Sequence, residues 1–126
     1  AKFAQMMLDG GIYDGHRILD KSTVELMMSD NMGENPVFLF PWLGGATNSS
    51  FGYGGSVVIR DTPEQIAASG RGTGQWGWSG AARTVFWVDP RNDAFGILML
   101  QMFTDTDPAL QTDFRTLAYQ ETVNEK

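Results

Sequence analysis

Cysteine is absent from this 126-residue chain, which excludes disulfide bonds and metal sites built on thiolates. The missing cysteines do not identify a cellular compartment, so localisation stays open. No apolar run approaches the ~20 residues that a membrane-spanning helix requires, so we expect no membrane partner. Histidine occurs once, at His16, which limits any hypothesis that depends on imidazole as a base or metal ligand.

Basic residues are also few. Nine Lys and Arg residues against fifteen Asp and Glu residues give a net charge of -6, and the basic residues are scattered. Phosphate backbones are bound by clustered Lys and Arg, so nucleic acid is excluded as a partner. The length fits one domain or a piece of a larger one, and 42% hydrophobic content is ordinary for a globular protein.

Helical spacing marks both ends of the chain. Phe3, Met6 and Met7 stand at i, i+3 and i+4, and no capping residue precedes them, so we expect the chain to begin part-way along a helix. A second helix is predicted from Thr23 to Ser29. A last helix is predicted to start at Asp107–Pro108, as cap and first helical residue. Its predicted buried face consists of Leu110, Phe114, Leu117 and Ala118.

The central part of the chain has the spacing of strands. One predicted strand with a bulge at Gly54–Gly55 carries Phe51, Tyr53, Val57 and Ile59 on one face. Thr84–Val88 and Phe95–Phe103 are apolar on both faces and flank a turn at Asp89–Asp93, which predicts an antiparallel hairpin. A sheet that is apolar on both faces needs cover on both sides. The predicted fold is therefore α+β, with an antiparallel sheet flanked by helices.

The stretch from Gly74 to Pro90 is rich in tryptophan and glycine and is typical of the rim of a binding site. Gly77–Ala81 resembles a nucleophile elbow, but an elbow needs a strand before the serine and a helix after it. Gly72–Gly77 has the spacing of a dinucleotide-binding fingerprint, yet that motif must open a helix. We reject both, because a strand follows. Trp42, Trp76 and Trp78 could stack a sugar or a ring, or could simply be packed.

Metal and cofactor sites are not expected. His16 lies in a polar link with no partner ligand at a suitable spacing. The loop that contains Asp105 and Asp107 lacks the glycine and the distal glutamate of a calcium-binding EF-hand, so helix capping explains these two residues better.

Several motifs together resemble the serine β-lactamase-related family, which includes class C β-lactamases and allied esterases. They are Leu8–Met27, Phe51–Gly54, Gly77–Ala82 and Phe86–Pro90. The resemblance extends from about Phe3 to Phe103. It implies that residues 1–126 form the C-terminal part of one domain with the β-lactamase/penicillin-binding-protein-like α/β fold, without the catalytic N-terminal portion.

The resemblance also implies a site. The family uses a Ser-x-x-Lys pair, a tyrosine motif and a third motif on an edge strand, and Trp78-Ser79-Gly80 matches the esterase form of that third motif. Ala81 would lend its backbone N–H to the oxyanion hole. The implied substrate-binding residues are Trp76, Trp78, Ser79 and Gly80. Two departures stand out: the chain contains no Ser-x-x-Lys, and Arg83 occupies a place where a small residue, usually glycine, is expected.

Two functions follow as hypotheses. The first is the C-terminal part of a serine hydrolase, more esterase-like than β-lactamase-like, acting on small esters or amides with a serine outside this chain. We expect the isolated chain to be inactive, and to self-associate or to need the missing N-terminal portion. The alternative is a non-catalytic module that binds a sugar or a protein through Trp42, Trp76 and Trp78.

Overall fold

The structure is a computed structural model that describes residues 1–33, 49–64, 66, 72–103 and 109–124. The loop aromatics around Trp42, the Asp105 carboxylate and the predicted helix start at Asp107–Pro108 lie outside these residues. The helices are α1 (Lys2–Leu8), α2 (Lys21–Met27) and α3 (Leu110–Asn124). The strands are β1 (Ile12–Tyr13), β2 (His16–Arg17), β3 (Ser49–Phe51), β4 (Ser56–Val58), β5 (Trp76–Ser79), β6 (Val85–Asp89) and β7 (Ala94–Leu98).

A five-stranded antiparallel sheet with the order β3-β4-β5-β6-β7 forms the centre of the molecule. Its neighbours in space are neighbours in sequence, so the sheet is a simple meander. A small β1–β2 hairpin connects the two N-terminal helices. The predicted hairpin across the Asp89–Asp93 turn is confirmed, since β6 pairs with β7 from Val85↔Leu98 to Asp89↔Ala94.

Each face of the sheet is covered by a different end of the chain. Trp76 and Val88 on one face pack with Met7 of α1 and Val24 of α2 in a dry cluster of buried side chains. Trp87 on the other face packs against α3. The expected α+β architecture with helices on both sides is therefore confirmed.

The predicted strand from Phe51 to Ile59 is wrong. The chain instead turns at Tyr53–Gly54 and forms the β3–β4 hairpin, with the Gly52 N–H donating to the Gly55 carbonyl at 2.9 Å. Gly54 adopts a φ of +78°, which a residue with a Cβ rarely adopts. The glycines therefore reverse the chain rather than insert a bulge.

Two further expectations are corrected at the far end of the chain. β7 ends at Leu98, because its partner β6 begins at the paired residue Val85, and Phe103 is 78% exposed. Leu117 of α3 is 61% exposed, whereas Arg115 is buried against the sheet. The helix is rotated from the expected orientation because its polar side chains find partners on the sheet.

Candidate functional site

The residues of the Trp-Ser-Gly motif lie on a strand of their own. β5 pairs with β6 along its whole length, from Trp76↔Val88 to Ser79↔Val85. Its pairing with β4 covers only Trp76 and Gly77. β5 is therefore an inner strand at its start, but β4 does not accompany it through Trp78 and Ser79. The tryptophan- and glycine-rich stretch thus contains a strand of its own, and β4 pairs with only its first two residues.

A tight turn follows β5 and leads into β6. The Gly80 N–H donates to the Thr84 carbonyl at 2.8 Å, and the Arg83 N–H donates to the Gly80 carbonyl at 2.9 Å. Arg83 itself has a φ of +63°. A turn that ends in a left-handed residue is a common three-residue hairpin loop. The left-handed φ gives the physical reason why the resemblance led us to expect glycine where Arg83 stands.

Gly80 packs closely against Thr84 within this turn. A Cβ on Gly80 would lie 2.5 Å from the Thr84 hydroxyl, so the Thr84 side chain would have to move. Gly80 and Ala81 are both exposed. Among the residues that the structure describes, none accepts a hydrogen bond from the Ala81 N–H. The turn therefore presents an accessible backbone donor at the end of β5 that β4 does not pair with.

The turn is held from two directions. The Gln111 side-chain amide, at the start of α3, donates to the Arg83 carbonyl at 3.1 Å. The Met102 N–H, beyond β7, donates to the Ala82 carbonyl, also at 3.1 Å. These contacts fix the backbone on either side of Arg83, and no local sequence pattern predicts either of them.

The tryptophans of β5 differ in exposure. Trp78 is half-buried and makes an edge-to-face contact with Phe51, with ring centroids 5.2 Å apart. Trp76 is 1% exposed and packs on Phe86 and Phe3, at 5.5 and 6.2 Å between ring centroids. Trp78 can contact a ligand at the surface, whereas the ring of Trp76 belongs to the core. A substrate-binding role for Trp76 stays a prediction, and the arrangement does not favour it.

Ser79 has no base to activate it within the described part of the chain, where no side chain forms a hydrogen bond to its hydroxyl. The His16 ring lies in the β1–β2 hairpin, with Nδ1 2.7 Å from the Asp14 carbonyl oxygen. Ser79 also stands within a strand and is followed by a turn and a second strand. Both observations agree with our rejection of a nucleophile elbow at this serine.

The rejected dinucleotide motif is explained by its backbone. The N–H groups of Thr73, Gly74 and Gln75 donate to acceptors within the chain, at 2.7, 2.8 and 3.1 Å. Phosphate cradles need several such groups pointing at the ligand. Because these donors are already bonded, the segment closes a loop and offers no anion site.

A buried polar network lies at the opposite end of the β5–β6 hairpin. Asp89 is 1% exposed, and its carboxylate accepts hydrogen bonds from the Tyr119 hydroxyl at 2.7 Å and the Gln75 amide at 2.9 Å. The Tyr119 oxygen in turn accepts from the Trp87 indole N–H at 3.0 Å. The Arg115 guanidinium donates to the side-chain oxygen Oε1 of Gln75 at 3.2 Å and lies 4.1 Å from the centroid of the Trp87 ring.

The network sets the protonation of its members. Burial alone would raise the pKa of Asp89, but hydrogen bonds from Tyr119, Asn92 and Gln75 outweigh it and hold the pKa below its usual value. Burial and the neighbouring Asp89 carboxylate raise the pKa of Tyr119 well above its usual value. Asp89 is therefore ionised and Tyr119 protonated at neutral pH, which is the pairing that the hydrogen bond between them needs.

Sequence reasoning missed this network. Asp89 was interpreted only as a turn residue, although it directly follows an apolar strand. Arg115 and Tyr119 are four residues apart on α3 and so share one helical face. Those two spacings were the available signal, and pairing them required the tertiary structure.

The described ranges contain no group of three or more His, Cys, Asp or Glu side chains that could hold a metal ion. They also contain no helix with the length and apolar character needed to cross a bilayer.

No protein-family model and no curated protein matches the chain. Several solved structures do match the chain. Simvastatin synthase (LovD) from Aspergillus terreus, in an unliganded selenomethionyl form, aligns with a TM-score of 0.65 and 18% identity, over 94% of this chain and 31% of that one. The LovD6 mutant aligns with a TM-score of 0.65 and 20% identity, over 97% and 32% of the two chains. A further unliganded form gives a TM-score of 0.64 and 18% identity, over 95% and 33%.

The chain therefore has the β-lactamase-like fold of LovD and spans about a third of the length of the structures that it matches.

Proposed function

We propose that this chain is the C-terminal part of a serine hydrolase of the β-lactamase-related family, and that the complete protein acts on small esters or amides. The observation that carries the proposal is the exposed Ala81 N–H in a rigid turn at the end of β5, within a LovD-like fold. In this proposal the chain supplies the third active-site motif. The nucleophilic serine and its activating base come from the remaining part of the protein.

The chemistry that this turn supports is acyl transfer. The serine hydroxyl gives its proton to the base outside this chain, its oxygen forms a bond to the acyl carbon, and the carbonyl π electrons move onto the carbonyl oxygen. The resulting oxyanion needs donors placed before the reaction begins, and the Ala81 N–H is one such donor. When the carbonyl re-forms, the bond to the leaving oxygen breaks, and that oxygen takes up a proton. Trp78 then provides one wall against the substrate.

The alternative of a sugar-binding module receives less support. Stacking on a sugar requires an accessible aromatic face. Trp76 is 1% exposed, and Trp42 lies outside the described residues. Trp78 is half-buried, so at most part of its ring is available for stacking.

The test uses the complete protein together with the isolated 126-residue chain. The complete protein is expected to hydrolyse p-nitrophenyl butyrate and to be labelled by a fluorophosphonate on a serine of a Ser-x-x-Lys motif. The isolated chain is expected to do neither. Stoichiometric labelling of Ser79 in the isolated chain, or an unlabelled and inactive complete protein, would falsify the proposal.

We also propose that this chain packs against the remaining part of its protein or against a second copy of itself. Met99, Phe103 and Leu117 are 76%, 78% and 61% exposed, which is high for large apolar side chains. Sedimentation of the isolated chain at low micromolar concentration should show a dimer or larger species. A cooperatively unfolding monomer would contradict this proposal.

A further inference from the structure

The turn after β5 contains a residue in a strained conformation. Arg83 has a φ of +63°, in the left-handed region where a Cβ approaches the following carbonyl oxygen. Such a residue persists only where its surroundings hold it in place. The contacts that hold Arg83 therefore determine the shape of the whole turn, including the Ala81 N–H two residues earlier.

Both backbone polar groups of Arg83 are bonded. Its N–H closes the turn onto the Gly80 carbonyl at 2.9 Å. Its carbonyl accepts the Gln111 side-chain amide at 3.1 Å, in a part-buried contact. Gln111 lies in the first turn of α3, the helix that packs on β6 through Phe114. Gln111 thus anchors the turn to a helix that is itself fixed on the sheet.

We propose that Gln111 is a positioning residue: its hydrogen bond to the Arg83 carbonyl keeps the Gly80–Arg83 turn closed and keeps the Ala81 N–H directed at the reacting carbonyl oxygen. The inference rests on the proposed function, because it assumes that Ala81 is an oxyanion donor. Gln111 does not contact the substrate in this scheme.

The physical reason lies in the strain at Arg83. Without the Gln111 donor, rotation of Arg83 to a negative φ relieves the strain and reorients the turn that carries Ala81. An error of about 1 Å in the placement of a reacting group can cost about 10²-fold in rate. Because oxyanion donors act mainly in the transition state, the loss should appear in kcat rather than in KM.

The experiment compares Gln111 variants in the complete protein, with p-nitrophenyl butyrate as substrate. Gln111→Met keeps the length of the side chain but has no donor, and we expect kcat to fall about tenfold with KM changed less than about twofold. Gln111→Lys keeps a donor at similar reach and should retain most of the parent kcat. Thermal unfolding of each variant verifies that the fold is intact.

A double-mutant cycle separates positioning from general stability. Glycine adopts positive φ without strain, so Arg83→Gly should hold the turn without help from Gln111. In that background, Gln111→Met should lower kcat by less than about threefold. A residue that acted only through global stability would cause the same loss in both backgrounds.

Each result supports or overturns a stated claim. A loss of kcat that is rescued by Gln111→Lys and reduced by Arg83→Gly supports the inference. An active parent whose Gln111→Met variant keeps kcat within twofold overturns the inference but leaves the proposed function standing, and so does an equal loss in both backgrounds. A complete protein that neither hydrolyses the ester nor reacts with a fluorophosphonate overturns the proposed function, and the inference with it.

Discussion

The two ends of the β5–β6 hairpin use polar groups in opposite ways. At one end, Asp89 accepts hydrogen bonds in a buried network from Gln75, directly before β5, and from Tyr119 of α3. At the other end, the Gly80–Arg83 turn is exposed at Gly80 and Ala81 and has the Ala81 N–H without an acceptor among the described residues. The Asp89 end satisfies its polar groups within the protein, whereas the Ala81 end presents a backbone N–H that no described residue accepts.

Under the proposed function, one end of the β5–β6 pair contributes to stability and the other end to activity. A closed network in a low-dielectric interior rigidifies the fold, because breaking it leaves buried polar groups without partners. An open donor contributes little to folding but can bind a developing negative charge. We therefore expect changes at the Asp89 end to lower stability, and changes at the Ala81 end to lower activity in a folded protein.

The sharpest test of the open end is Ala81→Pro in the complete protein. Proline has no N–H, and position 81 is the second residue of the turn that the Arg83 N–H closes onto Gly80, where proline is well tolerated. Losing one oxyanion donor should reduce turnover of a small ester by about 10²–10³-fold, or about 2.7–4 kcal/mol.

Ala81→Gly is the matched control, because it retains the N–H and should keep most of the activity. Circular dichroism of both variants checks that they are folded. If a folded Ala81→Pro protein turns over ester within a few-fold of the parent, Ala81 is not an oxyanion donor and the contrast between the two ends fails.

The closed end is tested by removing its central acceptor. Asp89→Ala removes the carboxylate that accepts from the Tyr119 hydroxyl and the Gln75 amide, which should lower the free energy of unfolding by about 3 kcal/mol. Glu25→Ala is the control, because Glu25 takes part in an exposed pair with Lys21 at 3.8 Å and its loss should cost less than about 0.5 kcal/mol. Equal effects in chemical denaturation of the two variants would show that the network does not stabilise the fold.

The network should also make stability depend on pH. Since the pKa of Asp89 is lower in the folded than in the unfolded state, its contribution is present above the unfolded value of about 3.8 and is lost as pH falls through the folded pKa. The gap in unfolding free energy between the parent and Asp89→Asn should therefore narrow on acidification from pH 5 to pH 3. The pKa of Asp30, Asp61 and Glu64 is also lowered, so the difference between variants is the quantity to measure. A constant gap would contradict the role of an ionised Asp89.

The sequence predicted the Ala81 end of the β5–β6 hairpin better than the Asp89 end, whose buried network it missed. The β6–β7 hairpin and the two covering layers follow from apolar spacing and turn residues, which are local. The resemblance placed Ala81 and Arg83 in a common motif, and the left-handed φ of Arg83 fits the glycine that was expected there. The site roles of Trp78, Ser79, Gly80 and Ala81 stay predictions.

The misses arise where distant residues decide the outcome. The chain reverses at Tyr53–Gly54 instead of continuing as one strand, and the reversal is tied to α2 by the Tyr53 N–H, which donates to the Met27 carbonyl at 3.0 Å. The buried face of α3 differs from the expected one because Arg115 is buried and stacks on Trp87, whereas Leu117 is exposed. Neither contact is local in sequence, so neither could be inferred from spacing alone.

The smallest expected effect compares two buried tryptophans on opposite faces of the sheet. The indole N–H of Trp76 is buried with no hydrogen-bond partner in the described part of the chain, whereas that of Trp87 donates to Tyr119 at 3.0 Å. Trp76→Phe removes an unsatisfied donor together with some apolar contact, so the two changes partly offset and the cost should be about 1 kcal/mol. Trp87→Phe removes a satisfied donor and the surface beneath Arg115, so its cost should be about 2–3 kcal/mol. Urea denaturation of both variants measures the difference. A larger loss for Trp76→Phe would mean that the apolar cluster around Trp76 contributes more to the stability of the sheet than the polar network does.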